Sequence, residues 1–364
     1  MSCLRKCFVL LILVLFAYLL VACDGGYFED NTNYIVDEIE ASTVNYQRYS
    51  EIFFDLFDTL TVILGYAQSQ EEFRYYSREV IRTELYRLHH LFDIHNEHAG
   101  INNIWTINHN AGIKPVEVEA EIMDLIKFSI EAYHISNGTV NIALGPVTNI
   151  WREYIRAGGE LGIPSMDILN NANMLTNIND VVVDEENSTI FLRHEGMSLD
   201  VGSIAKGFAI ELATQKALDA GFESFTLSVG GDVRTAAAPH SGTRNAWGVG
   251  IDDPDNPGDV DRIVDVVFVT HTSVFSSGDY QRFFITNGNR YHHIINPRSL
   301  MPATNYRSVT VVHPDAGMTD VLSTVAFILD IEEAKRILAS FGAEAIWVLP
   351  DMTTITTAGW QGRD

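Results

Sequence analysis

In MTDVLSTVAF (318–327), Asp320 and Thr324 stand four residues apart. On a helix that spacing aims a carboxylate and a hydroxyl at one point, with Ser323 beside them. Hard oxygen donors so placed suit magnesium, which seldom takes a full protein cage and shares its shell with phosphate oxygens and water. The competing reading is a helix whose Ser and Thr hydroxyls bond back to their own backbone. A second stretch, SLDVGSIAKGFAI (198–210), looks like a phosphate-binding turn without its usual parts. Strand-like MSLDV runs into Gly202, backbone N–H groups near Ser203 and Ile204 open a helix to about Leu218, and Lys206 lies beside Gly207. Neither G-x-x-x-x-G-K-[ST] nor G-x-G-x-x-G is there. Asp200 would repel a bare phosphate, so the turn implies a ligand with a phosphate end and a donor-bearing ring or sugar; an ordinary capped helix with a surface lysine is the alternative. Gly230 and Gly231 in LSVGGDV end a strand, where backbone can approach a ligand closely.

SSGDYQRFF (276–284) and HHIINPRSLMPA (292–303) put further polar groups, Ser277 and His293 among them, on neighbouring strands. A histidine pKa near 6.5 lets His293 accept a proton at neutral pH, which suits a general base, with Asp279 in reserve. The alternative is a strand histidine that only hydrogen-bonds a ligand. A regular strand sends His292 to the opposite face.

The elements around these residues mix helices with hairpins. Helical spacing covers 70–92 (Phe73, Val80, Ile81, Leu85, Leu88) and 116–135 (Val118, Ile122, Leu125, Ile126, Ile130). Val181 to Leu192 reads as a hairpin turning at EENS, and FFITNGNRYHHII as a second one turning at Asn287-Gly288. Further strands fall at 224–229, 263–269, 308–312 and 344–349. Hairpins mixed with helices predict an α+β fold rather than a doubly wound parallel sheet. No linker or internal repeat interrupts the chain after Phe53, and DDPDNPGDVD (252–261) reads as an acidic surface loop, so residues 51–364 are expected to form one compact domain.

The N-terminus has the layout of an export signal: basic Arg5 and Lys6, an apolar core at 8–20, then Leu-Val-Ala-Cys ending at Cys23. That ending resembles the lipobox of bacterial lipoproteins, which predicts a signal peptide at 1–22, a lipidated Cys23, an acidic tether at 23–50 and a site at the extracytoplasmic face of the cell membrane. The apolar run is short for a membrane span of about 20 residues. Asp24 resembles an inner-membrane retention cue. Cleavage takes Lys+Arg from 24 to 22 against 48 acidic residues, moving the net charge from −24 to −26. Nucleic acid and anionic lipid surfaces are therefore excluded as main partners. The three cysteines are Cys3, Cys7 and Cys23, so the exported domain has no disulfide framework, thiol nucleophile or thiolate zinc site.

Six ordered motifs, TVNIALGPVTNIW (139–151), LDVGSIAKGFAIE, SVGGDV, SSGDYQRFF, HHIINPRS with Pro302, and TDVLSTVAF, together resemble the ApbE family of FAD:protein FMN transferases over most of residues 53–350. The resemblance implies Mg²⁺-dependent cleavage of FAD, with FMN moved onto a Thr or Ser of an exported acceptor protein of a respiratory or electron-transfer complex and AMP released. It places Asp200 and Lys206 against FAD, Thr139, Val140 and Asn141 along the flavin, and Ile295 on the cofactor. Phe57, Gly230, Gly231, Ser277, Gly278 and His293 join the cofactor-binding set. The Ala143 carbonyl, Ser203, Asp320, Ser323 and Thr324 become the magnesium ligands, and His293 matches the histidine of the family's H-x-I-D-P motif.

The chain also departs from the family pattern. Asn296 replaces the motif aspartate, INNIWTIN ending at Asn108 replaces a Ser- and Arg-containing run ending in Leu-Asn, and Phe57-Asp58-Thr59 replace Met-Gly-Thr. The expected upstream aromatic corresponds to His95 or His98. No copy of the family acceptor motif Asp-Gly-x-Thr-Gly-Ala-Thr/Ser occurs, so self-flavinylation is not expected. A Mg²⁺-dependent FAD pyrophosphatase and a non-catalytic flavin-binding lipoprotein are the rival functions; Asp320, Thr324 and His293 together speak against the second. The five tryptophans read as packing residues, and His89, His90, His95, His98 and His109 as a solvated face rather than a zinc site.

Overall fold

The computed structural model describes residues 45–259 and 261–362. The predicted signal peptide, Cys23 and most of the tether lie outside the described residues. The first strand begins at Gln47, ahead of residue 51, where the sequence pattern starts the domain.

In chain order the strands are β1 (Gln47–Leu56), β2 (Thr59–Ala67), β3 (Val116–Glu117), β4 (Val181–Asp184), β5 (Thr189–Leu192), β6 (Phe225–Val229), β7 (Asp232–Thr235), β8 (Trp247–Asp252), β9 (Ile263–Val269) and β10 (Ser273–Gly278). They continue as β11 (Phe283–Thr286), β12 (Asn289–His292), β13 (Ile295–Asn296), β14 (Met301–Pro302), β15 (Ser308–His313), β16 (Glu344–Val348) and β17 (Thr354–Thr356). Eight of them form one sheet in the order β1-β2-β6-β7-β10-β15-β16-β17, each pair antiparallel. Three smaller sheets are two-stranded and a fourth joins β3, β5 and β4. With the helices packed on these sheets, the molecule has the expected α+β architecture.

The apolar periodicity at 70–92 becomes one long helical run, Gln70–Arg74, a wider π-helical Tyr75–Arg82 and Thr83–Phe92, capped by Ser69 accepting from Glu72 N. The 116–135 prediction is corrected at its start. Val116 and Glu117 pair with β5, and the helix runs over Ala120–Ile135. Both predicted hairpins form, and Asn287 and Gly288 take φ of 50° and 78°, the left-handed values a two-residue turn needs.

Strand-like MSLDV is not a strand. The Asn108 side chain accepts from Leu199 N at 2.6 Å and donates to the Leu199 carbonyl at 3.0 Å, while Asp200 N donates to the Ile142 carbonyl at 2.7 Å. Side-chain and loop partners thus take the bonds a neighbouring strand would have made.

The core centres on the helix Ala316–Ile328. All its residues except Met318 are buried, because it lies between the helix Ala205–Asp219 and strands β10 and β15. Phe327 of this helix is fully buried, as are Phe275 and Trp347, each contributing on the order of 1.5–3 kcal/mol by burial. Trp347 donates its indole N–H to the Ala326 carbonyl at 3.0 Å, and Trp151 its own to Leu300 at 2.8 Å, so both act as packing residues. Trp151 belongs to a second cluster with Leu169, Phe284, Ile295 and Leu300 that braces the β11–β12 hairpin.

Candidate active site

A helix buried on all sides must satisfy its polar groups within the protein, and the Ala316–Ile328 helix carries several. Thr319 donates to the Asp315 carbonyl and Ser323 to the Asp320 carbonyl, so back-bonding accounts for those two hydroxyls. Ser323 also meets Ser277 on β10, oxygen to oxygen, at 2.9 Å. Asp320 and Thr324 are different. Asp320 Oδ2 accepts from the Gly207 N–H at 2.8 Å across the helix contact, and the Thr324 hydroxyl has no hydrogen bond within the described residues. Gly207 is what permits this approach: a Cβ there would lie 2.4 Å from the Ala316 carbonyl oxygen. Burial raises the Asp320 carboxyl pKa, against the pull of Lys206 and of the Gly207 N–H. A buried carboxylate short of positive partners, one turn from a free hydroxyl and near the Ser277–Ser323 pair, fits a hard cation with an incomplete protein cage. Among the described residues no group of three or more His, Cys, Asp or Glu could hold a metal, so a transition-metal centre of that kind is not built here.

Lys206, one residue before Gly207, is ion-paired to Asp232 of β7, whose other oxygen accepts from Ser276 N at 3.0 Å. Burial lowers the Lys206 pKa, with Asp320 opposing and Arg282 adding to the fall. Three segments distant in sequence, 205–207, 232 and 276–277, are thus tied together by their charges and amides.

The SLDVGS turn is locked to TVNIALGPVTNIW. A Cβ on Gly145 would lie 2.2 Å from the Ser198 carbonyl oxygen, so the two backbones touch. Asp200 accepts from Thr148 Oγ1 at 2.6 Å, from Arg152 at 2.7 Å and from Gly202 N at 3.1 Å. Burial would raise the Asp200 carboxyl, but Arg152, Thr148 and the Gly202 N–H together hold it below the usual carboxylate range. Asn141 accepts from Ala143 N and donates to the Thr176 carbonyl, both at 2.9 Å, which fixes the loop. Val140 belongs to the main core, and the buried Thr139 hydroxyl has no partner among the described residues. Ser203 is half-buried in the turn that opens the Ala205–Asp219 helix. Ala143 is buried, as is Ile295, which pairs with Pro302.

β12 ends at His292, and the two histidines still diverge, with rings 81° apart. His292 is buried against Phe327; its Nε2 donates to the Ala303 carbonyl and its Nδ1 accepts from Ile294 N, so neither nitrogen is left for chemistry. His293 has a buried Nδ1 with no hydrogen-bond partner among the described residues. Burial, reinforced by His292 and Arg282, lowers its pKa to about 3, with the Arg282 backbone and Asp200 opposing. The neutral form of His293 is thereby favoured, with Nδ1 unpaired. Asp279 is held by Arg290 at 2.8 Å and Arg307 at 3.0 Å, which removes it as an alternative base.

At the β1–β2 turn, Phe57 and Asp58 both have positive φ, 51° and 53°. Phe57 N donates to His89 Nδ1 at 3.3 Å and its ring meets His89 edge-on at 5.3 Å. The adjacent Thr59 lies under Gly230, whose Cβ would approach the Thr59 hydroxyl to 2.8 Å. The Gly230-Gly231 turn, with φ of 65° and 95°, therefore sits beside Phe57–Thr59 at one end of the sheet.

The family model for the ApbE family matches residues 57–347. The chain belongs to the ApbE family. It is 35% identical over 271 residues to the FAD:protein FMN transferase of Treponema pallidum, covering 70% of this chain and 72% of that one. The FAD:protein FMN transferase of Klebsiella pneumoniae is 31% identical over 233 residues, covering 64% and 70%. Among solved structures, the ApbE protein of Thermotoga maritima superposes with a TM-score of 0.75 at 28% identity, covering 86% of this chain and 97% of that one. The flavin transferase ApbE of Vibrio cholerae has the same fold, with a TM-score of 0.70 at 19% identity and the same coverage.

Within this ApbE fold, some site residues were not singled out by the motifs. Arg152 closes on Asp200 from the helix Gly145–Arg156, two turns after Gly145; an arginine on the polar face of an otherwise ordinary helix gave no signal. Asp232 lies in SVGGDV, a segment the sequence marks only by its two glycines. Of the two histidines weighed for the missing aromatic, His95 lies within electrostatic reach of Arg152, Arg156 and Asp200, whereas His98 is turned to Asp93 at 2.9 Å and to the His90 ring at 4.1 Å. His89, expected on a solvated face, instead receives the Phe57 amide.

Proposed function

We propose that this chain is a magnesium-dependent FAD:protein FMN transferase, which cleaves FAD and joins FMN through a phosphoester to a Thr or Ser of an acceptor protein, releasing AMP. The observation that supports this is the Asp320 carboxylate, held by the Gly207 N–H one helical turn from the Thr324 hydroxyl, with Lys206 on the adjoining helix close enough for its charge to act on Asp320. The relatives named above carry the same activity in their names.

Asp320 and Thr324, with Ser203, Ser323 and the Ala143 carbonyl, are the residues that would hold magnesium, which would neutralise pyrophosphate charge. Lys206 adds a fixed positive charge and Asp200 receives donors of the cofactor's nucleoside or ring. His293 takes the proton of the acceptor hydroxyl as that oxygen bonds to the FMN phosphorus; the bond from this phosphorus to the bridging oxygen breaks, and its electron pair leaves on AMP. The low pKa of His293 favours the neutral base, and an arriving polyanion raises its proton affinity when it is needed.

The test mixes the protein with FAD, Mg²⁺ and a protein bearing Asp-Gly-x-Thr-Gly-Ala-Thr, following acid-stable flavin on the acceptor and AMP in solution. Asp320→Ala should still bind FAD, with AMP release near background and partial recovery at high Mg²⁺, while Asp200→Ala should weaken FAD binding first. AMP without flavin on the acceptor would make the protein a pyrophosphatase; no AMP at all leaves only flavin binding.

The anchor proposal rests on the Leu-Val-Ala-Cys ending at Cys23. No helix among the described residues is long and apolar enough to cross a membrane. Cys23→Ser should leave unprocessed precursor or release the protein from membranes; a processed, membrane-bound variant refutes the lipid anchor.

A further inference from the structure

The arginines nearest the site are nearly all committed to carboxylates. Arg152 holds Asp200 at 2.7 Å, Arg234 holds Glu211 at 3.1 Å, Arg290 holds Asp279 at 2.8 Å and Arg307 holds Asp255 at 2.7 Å. Arg156 has no ion pair among the described residues, and neither does Arg282, whose charge is the one felt at both Lys206 and His293. Phe283 of β11 pairs with His292 of β12 as the last pair of the hairpin, and Arg282 and His293 follow directly beyond it on the two strands' ends. In a chain with 48 acidic residues against 24 basic ones, an exposed arginine with no carboxylate paired to it among the described residues is a basic group left available to a ligand. An anion lying between a guanidinium and an ammonium is attracted by both. A guanidinium offers the planar fork of N–H donors that matches a phosphate.

We infer that Arg282 is a pyrophosphate-binding residue, which grips the dinucleotide from the β11 side while Lys206 faces it from the helix. This rests on the transferase proposal above for the identity of the ligand. As the phosphorus–oxygen bond breaks, the negative charge gathers on the departing AMP phosphate, and a fixed guanidinium there stabilises that charge without forming or breaking any bond of its own. Arg282 is also placed to select FAD over riboflavin, which has the same ring and no phosphate.

The experiment uses the full chain and compares Arg282→Ala and Arg282→Lys with wild type, after circular dichroism shows the same fold. FAD and riboflavin affinities are measured by flavin fluorescence, and AMP release is measured with Mg²⁺ and the motif-bearing acceptor. Arg282→Ala should weaken FAD binding ~10- to 100-fold, the worth of one charged hydrogen-bonding group, and leave riboflavin affinity unchanged. AMP release should fall ~10-fold or more at saturating FAD. Arg282→Lys should recover part of the FAD affinity, since it keeps the charge and loses the fork. An unchanged ratio of FAD to riboflavin affinity in Arg282→Ala overturns the inference, whether both affinities hold or both fall. A wild-type protein that releases no AMP sinks the transferase proposal instead, and the affinity ratio still decides the role of Arg282.

Discussion

Gly207→Ala puts a methyl group where the helices Ala205–Asp219 and Ala316–Ile328 touch. Its Cβ would lie 2.4 Å from the Ala316 carbonyl oxygen and 2.6 Å from Asp320 Cβ. One neighbour is backbone and the other is the root of a buried carboxylate, so neither can swing aside, and the helices must part by about an ångström. Overpacking of this kind costs ~1–3 kcal/mol, and the upper part of that range applies to a clash with backbone. Alanine returns about 1 kcal/mol of helix propensity, leaving a net loss of ~1–2 kcal/mol. Separation also stretches the 2.8 Å bond from Gly207 N to Asp320 Oδ2. A hydrogen bond to a charged group contributes ~1.5–3 kcal/mol, so part of that is lost as well. Denaturant unfolding should therefore show a deficit of ~2–3 kcal/mol. The functional effect should exceed the stability effect, because Asp320 moves relative to Thr324: half-maximal Mg²⁺ for AMP release should rise several-fold at a temperature where the variant is fully folded. Gly317→Ala is the control. Its Cβ would meet nothing closer than 3.4 Å, so stability should hold or rise by up to ~1 kcal/mol, with Mg²⁺ dependence unchanged. Wild-type stability and Mg²⁺ response in Gly207→Ala would refute the close-contact account of how Asp320 is placed.

His293→Ala should keep FAD affinity and slow transfer ~10²- to 10⁴-fold. Because burial lowers His293 to about 3, the acid limb of kcat/KM in wild type should lie well below the ordinary histidine value of 6.5, and the limb of kcat should lie at higher pH than that of kcat/KM once the polyanion is bound. A kcat/KM limb at or above 6.5 that survives in His293→Ala would assign the base elsewhere. His89→Ala removes the acceptor of the Phe57 amide and its edge-on ring, and should lower stability by ~1–3 kcal/mol and weaken riboflavin binding. Protonating His89 removes the same acceptor, so riboflavin affinity should fall as pH drops in wild type and lose that dependence in His89→Ala; identical titrations of the two proteins would separate the turn from the flavin pocket.

Local chemistry made much of this protein legible in its sequence. Asn287-Gly288 specified a tight turn because left-handed φ values favour those residues, and the apolar spacing at 70–92 specified a helix because one face had to be buried. The spacing of Asp320 and Thr324 put them on one helix face, but the same letters also allowed Ser and Thr to bond back to their own helix. Tertiary packing decided between these: Ser323 and Thr319 do bond back, while Gly207 comes from 113 residues away to fix Asp320. Likewise HHII marked two histidines on opposite faces, and only the contacts of His292 with Ala303 and Ile294 show that it is the spent one. MSLDV was misleading as a strand because its partner is the side chain of Asn108, 91 residues away, which no periodicity registers. Arg152 and Arg282 were silent for the same reason: a charge shows its use only when the fold reveals whether a carboxylate lies beside it.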